Sequence, residues 1–193
     1  MNRCGHEGQG IWNMLRRVLI GVCAALVILV ALFETYDWLV FRPRRPAISA
    51  LLGTISREEM NASDLRRLLL ISLNGHEAYS AARQVLIQLD VPRVTVGNLG
   101  WQVTWTLWTA LISLHMSKTD QLRIFVATAN LGDGHRGFLA ASKALYRRSL
   151  SELTQPQLAT LVAMSYAPSL TSTNPGRLAQ RRDWLLAKLQ GGT

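Results

Sequence analysis

The chain is poor in cysteine, with only Cys4 and Cys23 among its 193 residues. Cys23 lies inside an apolar run, so a disulfide between the two would have to form in or beside a bilayer, and we expect none. Cys4 and the nearby His6 supply two potential metal ligands, whereas a structural zinc site needs four. We therefore expect no metal site and no cofactor, and a C-terminal region that is stable without disulfides.

Acidic residues are scarce as well: 12 Asp and Glu stand against 21 Lys and Arg, which gives a formal net charge of +9. A basic protein can bind nucleic acid, anionic lipid headgroups or an anionic substrate. The basic residues here lack the repeated interleaving with aromatic side chains that is typical of a single-strand binder. Together with the membrane segment described next, this favours membrane lipid or an anionic substrate and no nucleic acid.

The longest apolar run, residues 18–33, has 16 residues and no charge. As a helix it would span roughly 24 Å, at about 1.5 Å per residue. Met14 and Leu15 extend it towards the ~20 residues that a bilayer requires, and aromatic residues flank it at both ends. We predict a retained single-pass anchor within residues 1–41. A cleaved signal peptide is the alternative, but no A-x-A-like site follows the run.

Residues 42–46 read RPRRP, a stiff basic stretch that we expect to interrupt the helix and to form part of a linker over residues 42–54. Basic residues lie on both sides of the anchor, so the positive-inside rule leaves its orientation undecided. They are Arg3, Arg16 and Arg17 before it, and Arg42, Arg44 and Arg45 after it.

Helical periodicity dominates the remaining residues, 55–193, and predicts an all-α domain. Residues 101–115 predict a long helix in which three tryptophans, spaced four and three apart, share a face that packs in the core or on the bilayer surface. Residues 91–100 have strand or loop character. The glycines of residues 132–137 predict a tight turn between two helices; they are no phosphate-binding P-loop, because no Lys-Ser or Lys-Thr follows.

Few carboxylates remain as candidates for catalysis. Most sit where an acid favours the start of a helix or on a solvated helix face. Glu77, in LNGHEAYSAA, is the one beside a histidine, a glycine and a tyrosine. We therefore take Glu77 as the candidate general base, against the alternative of an ordinary surface helix residue. No G-x-S-x-G motif is present to suggest a nucleophilic triad.

A series of short segments follows in one order along the second half of the chain. They are Ser117-Lys118, Leu122, Phe125, Gly132, Gly137, Ala140-Ala141, Tyr146, Leu150-Ser151-Glu152-Leu153, Leu158-Ala159, Leu161-Val162-Ala163, Ala167-Pro168-Ser169, Asn174-Pro175 and Arg181-Arg182. In order and spacing this series resembles the C-terminal half of glycosyltransferase family 51, the peptidoglycan transglycosylase domain of penicillin-binding proteins and monofunctional transglycosylases. An N-terminal anchor is also a property of that family.

The first half departs from the family's pattern. The family motif E-D-x-x-F-x-x-H-x-G supplies the catalytic base, and the alignment places Leu73-Asn74 where Glu-Asp would stand. The R-K-x-x-E motif falls on residues 101–105, so Trp105 replaces the second glutamate. The substrate-gripping G-G-S-T-I-T-Q-Q motif is missing. Loss of a general base typically costs ~10²–10⁴ in rate, and loss of groups that stabilise developing charge costs a similar factor.

The resemblance implies a lysozyme-like helical domain behind the anchor and a role in cell-wall biogenesis. Because the catalytic positions are changed, we expect a catalytically degenerate peptidoglycan glycosyltransferase-like protein that acts by binding a lipid-linked precursor, a glycan or a peptidoglycan synthase. One alternative is a divergent but active transferase with Glu77 as base. The other is an unrelated helical, membrane-anchored interaction protein.

The resemblance also implies a location and a set of candidate binding residues. It places the chain in the bacterial inner membrane, with a cytoplasmic N-terminus and a periplasmic or extracytoplasmic domain. The cations that could bind pyrophosphate or lipid headgroups, or else form a solvated basic face, are Lys118, Arg136, Lys143, Arg147 and Arg148.

Overall fold

The computed structural model describes residues 5–55, 60, 63–91, 94, 97–169 and 173–191, except for the side chains of residues 5–11, 13 and 63. The chain divides into two compact units, Met1–Pro43 and Arg44–Thr193. Residues 56–59 read SREE, the Ser-x-x-Glu spacing that predicts a capping box, and they lie outside the described residues.

The first unit is built on one long helix, α1 (Gly5–Tyr36), which passes into a π-helical turn, Asp37–Phe41. Within the described residues, one helical run, Met14–Gly53, is long and apolar enough to cross a membrane, and its most apolar stretch has no buried residue. An apolar stretch without a protein core around it is typical of a segment that lies in lipid. A signal sequence has the same length and composition, so retention of the anchor stays a prediction.

Residues 42–46 do not become a non-helical stretch, and the linker over residues 42–54 stays a prediction. Arg42–Arg44 forms a 3₁₀ turn and α2 (Arg45–Gly53) follows at once. Pro46 lies in the first turn of α2. Proline is tolerated there because the N–H groups of a first helical turn have no partner within the helix. Pro43, in the 3₁₀ turn, and Pro46 therefore both lie where a new helix begins.

The second unit continues with α3 (Ser63–Leu73), α4 (Glu77–Gln88), α5 (Gly97–His115), α6 (Lys118–Thr128), α7 (Phe138–Tyr146), α8 (Gln155–Tyr166) and α9 (Pro175–Gln190). A 3₁₀ turn, Leu150–Glu152, precedes α8. The helices follow the apolar periodicity of the sequence, and the prediction of an all-α domain is confirmed. The prediction of strand or loop over residues 91–100 is wrong at its end, because α5 already begins at Gly97.

The glycine-rich segment between α6 and α7 is a small β-hairpin, where the sequence predicted a tight turn. Strands β1 (Asn130–Gly132) and β2 (His135–Arg136) pair antiparallel. Asp133 and Gly134 turn the chain with φ angles of 50° and 80°. Such left-handed angles match the twist of a two-residue hairpin, and Asp and Gly are the residue types that adopt them.

The core lies among α3, α6, α7, α8 and α9. α3 contributes Leu65, Leu68 and Leu69, all fully buried, and α8 contributes a run from Leu158 to Met164 in which most side chains are buried. α4 packs between α5 and α6 outside this cluster.

A local hydrogen-bonded cap precedes α8. The backbone N–H and the hydroxyl of Ser149 donate to the Glu152 carboxylate and hold the pKa of that carboxyl below its ordinary value of 4.5.

Candidate functional site

The second unit contains a cavity of about 610 Å³. Its wall is formed by the end of α3, the connection from α3 to α4, one face of α4, Phe125 of α6 and the last residues of α8. This size and concave shape are typical of small-molecule sites. We refer to it as the cleft.

The α3–α4 connection brings polar groups to the cleft. Asn74 and Gly75 have φ angles of 48° and 84°, and the N–H of Asn74 donates to the carbonyl of Leu70 at 2.9 Å. These left-handed residues end α3 and turn the chain into α4. The turn places Ser72, Asn74 and His76 in the lining of the cleft.

α4 presents one face to the cleft and the opposite face to the core. His76, Tyr79, Ser80, Arg83 and Gln84 recur at helical spacing and line the cavity. The other face carries alanine, valine and leucine side chains that are buried against α5 and α6. The apolar residues of α4 thus lie on its buried face, and the face that lines the cleft is polar and aromatic.

An aromatic stack supports this wall. The rings of Tyr79 and Trp105 are stacked with centroids 4.0 Å apart, and the indole N–H of Trp105 donates to the Tyr79 carbonyl at 2.9 Å. The Arg83 guanidinium lies 5.7 Å from the Trp105 ring, within cation–π range. Trp105 is buried, while Tyr79 is 44% exposed and lines the cleft. The stack thus holds the tyrosine ring rigidly at the cleft surface.

The described lining of the cleft contains no aspartate or glutamate. Glu77 lies between two lining residues in sequence, but its side chain is only 4% exposed and is not part of that lining. It occupies the first turn of α4, where a carboxylate interacts favourably with the helix dipole. Its role as a general base stays a prediction. Among the described residues no group of three or more His, Cys, Asp or Glu is placed to hold a metal ion.

The five predicted cations do not line the cleft. All of them are exposed: Lys118, Arg136, Lys143, Arg147 and Arg148. Arg136 instead lines a depression of about 420 Å³ beside the hairpin, together with Asp133. Lys143, Arg147 and Arg148 lie at the end of α7, which Arg147 closes with a φ of 55°. Their role in binding pyrophosphate or headgroups stays a prediction.

The family comparison covers the region that frames one side of the cleft. A family model described as transglycosylase matches residues 98–190. The match is consistent with a transglycosylase domain over this part of the chain. No curated protein matches the chain. The matched region runs from the start of α5 to the end of α9, so α3 and α4, which supply most of the cleft lining, precede it.

The resemblance predicts that the family's catalytic groups would fall at Leu73-Asn74 and at Trp105. Leu73 and Asn74 line the cleft directly, and Trp105 lies behind Tyr79. Arg123 has a packing role, because its guanidinium donates to the carbonyls of Leu52 at 2.6 Å and Ile55 at 2.8 Å. The matched region therefore adjoins the cleft, and the loss of the family's catalytic motifs stays a prediction.

Sequence reasoning missed the residues that dominate the cleft, above all Tyr79, Arg83 and Tyr166. One signal could have found the first two, because His76, Tyr79 and Arg83 follow one another at helical spacing directly after a turn. No such signal exists for Tyr166, which ends α8 and reaches the cleft only through the tertiary fold.

Proposed function

We propose that this protein is a membrane-anchored, peptidoglycan glycosyltransferase-like protein that binds glycan or a lipid-linked cell-wall precursor in the cleft and does not polymerise it. The observation that carries the proposal is the composition of the cleft: an aromatic wall with amide, hydroxyl and guanidinium groups, and no carboxylate among the described lining residues. The transglycosylase-family match supplies the class of ligand.

The lining suits a saccharide better than an ion. Sugar rings offer an apolar face and many hydroxyl groups, so they bind where an aromatic ring lies beside planar donors and acceptors. Tyr79 gives such a ring, held by its stack on Trp105, and Asn74 and Gln84 give amides. Arg83 is the single guanidinium in the described lining.

Binding and turnover place different demands on this cleft. A general base has to lie within about 2.6–3.2 Å of the proton that it removes. The described lining of the cleft contains one histidine, His76, and no aspartate or glutamate. A cleft that offers contacts but no positioned carboxylate fits recognition, so we infer that the protein holds a cell-wall ligand at the membrane or presents it to a peptidoglycan synthase.

Equilibrium binding by the detergent-solubilised full chain tests this proposal. We expect saturable binding of a lipid-linked disaccharide precursor and competition by soluble glycan fragments. Tyr79→Ala should weaken binding by about tenfold, because an aromatic contact of about 1.5 kcal/mol corresponds to that factor. Tyr79→Phe, which keeps the ring, should bind nearly as well as the wild type.

The matched control is Ile87→Ala, which removes an exposed side chain from the same helix away from the cleft. If wild type shows no saturable binding, or if Ile87→Ala weakens binding as much as Tyr79→Ala does, the cleft is not the ligand site.

A further inference from the structure

A second cavity, of about 390 Å³, is lined by residues of α8 and α9 and by Ala167, the residue that follows α8. Ala163 and Ala167 give it a small apolar surface, and Arg177, Gln180 and Arg181 of α9 give it a polar one. It shares only Tyr166 with the described lining of the cleft. We call it the α8–α9 pocket.

Arg181 is held in this pocket by two aromatic rings. Its guanidinium carbon lies 4.3 Å from the centre of the Tyr166 ring and 4.2 Å from the centre of the Trp184 ring. Contacts this close are strong cation–π and stacking interactions, and arginine makes them because its guanidinium is planar. Stacking between two rings fixes the plane of the guanidinium before any ligand binds. Hydrogen bonds to a ligand are then made in that plane, through the N–H groups at the edge of the guanidinium.

The hydrogen-bonding capacity of Arg181 is not fully used. Its Nε is buried and has no hydrogen-bond partner among the described residues. A buried donor without an acceptor is unfavourable, which favours any ligand acceptor that gains access to this N–H.

The charge of the pocket is positive and is not balanced within its described lining. Arg177 lies one helical turn before Arg181 and lines the same cavity. The described lining contains no carboxylate. The nearest acid along α9, Asp183, pairs with Arg182 at 2.7 Å instead. Two guanidinium groups therefore act on one small volume.

We propose that Arg177 and Arg181 bind a phosphate group that is attached to an apolar body. Guanidinium groups match the oxygens of phosphate through paired hydrogen bonds, and two of them suit the double charge of a phosphate monoester better than the single charge of a carboxylate. The apolar walls, from Ala163 and Ala167 with Trp184, accommodate the group that carries the phosphate. A phospholipid headgroup and a soluble phosphate ester share this chemistry.

This site goes beyond the proposed function, because it lies outside the cleft apart from the shared Tyr166 and involves none of the groups proposed to bind glycan. Loss of phosphate binding would leave glycan binding at Tyr79 intact, and the two proposals can fail separately.

The test is calorimetric titration of the full chain in a non-ionic detergent. The probes are inorganic phosphate, dihexanoyl phosphatidic acid, dihexanoyl phosphatidylcholine and hexanoate. We expect phosphatidic acid to bind more tightly than the zwitterionic lipid and than hexanoate. Inorganic phosphate that binds as tightly as phosphatidic acid would indicate a soluble phosphate as the natural source of the group, whereas tighter binding of phosphatidic acid would indicate a headgroup.

Three variants locate the binding. Arg177→Gln, at an exposed position, should weaken phosphatidic acid binding by about tenfold, since it removes a charge-assisted hydrogen bond. Arg181→Lys keeps the charge but removes the planar fork and should weaken binding by a similar factor. Arg182→Gln removes the same charge from the neighbouring residue, which is absent from the described lining, and should change binding by less than about twofold.

The proposal is overturned if the wild type binds phosphatidic acid no better than hexanoate. It is equally overturned if Arg182→Gln weakens binding as much as Arg177→Gln does, because the attraction would then be a general property of a basic helix. Circular dichroism of each variant confirms that the fold is retained.

Discussion

Replacing Gly137 by alanine is expected to lower the free energy of unfolding by about 2–5 kcal/mol. Gly137 joins the hairpin to α7 with a φ of 79°, an angle that is unfavourable for alanine. A Cβ atom at this position would also lie 2.5 Å from the backbone carbonyl oxygen of Ala127. Since that oxygen belongs to the end of α6 and is backbone, the clash can be relieved only by moving the hairpin or the helix.

Gly134→Ala is the matched control. Gly134 has nearly the same φ, 80°, but no atom lies within 4 Å of the place where its Cβ would be built. Only the conformational cost of about 1–2 kcal/mol then applies. Thermal unfolding of the full chain in detergent measures both variants. Equal destabilisation would contradict the close approach of the hairpin to α6.

Trp108→Ala is expected to lower the free energy of unfolding by about 3–5 kcal/mol, the range typical of large-to-alanine changes in a core. Trp108 is fully buried on α5 and is among the largest fully buried side chains described. For a chain of this size each kcal/mol lowers the melting temperature by about 2–4 °C. Circular dichroism at increasing temperature would show the shift.

Leu99→Ala, on the same helix at a position that is 72% exposed, should change the melting temperature little. The comparison separates the two interpretations of the tryptophan face. If α5 lay on a bilayer surface and not in the core, Trp108→Ala would leave the unfolding of the domain nearly unchanged, and this outcome would contradict the described packing.

The sequence predicted the helices well where apolar periodicity and caps agree. α6 and α9 begin at such caps, since Ser117 and Asn174 accept hydrogen bonds from backbone N–H groups of their first turns. The prediction was wrong where proline and glycine were interpreted only as helix breakers. Pro46 lies in the first turn of one helix, and Gly97 is the first residue of another. The turn predicted over residues 132–137 is present as part of a β-hairpin.

The candidate site was less predictable, because a cleft joins residues that are far apart in sequence. Asn74, Phe125 and Tyr166 meet only through the packing of α3, α6 and α8. Glu77 was predicted as the general base from its neighbours along the chain. Whether its side chain is buried or exposed depends on which face of α4 packs against other helices, and the sequence neighbours do not show this. The resemblance to the transglycosylase family was the stronger signal, and the family match over residues 98–190 confirms it.

The central claim is that the cleft binds a cell-wall ligand without polymerising it. The most direct measurement is chain formation from the lipid-linked disaccharide precursor by the purified full chain, with an active transglycosylase as positive control and Glu77→Gln as the paired variant. We expect no glycan chains from wild type or variant, and bound precursor with both, because the described lining of the cleft has no carboxylate to act as base. Glycan chains made by the wild type and not by Glu77→Gln would contradict this account and would identify Glu77 as the base.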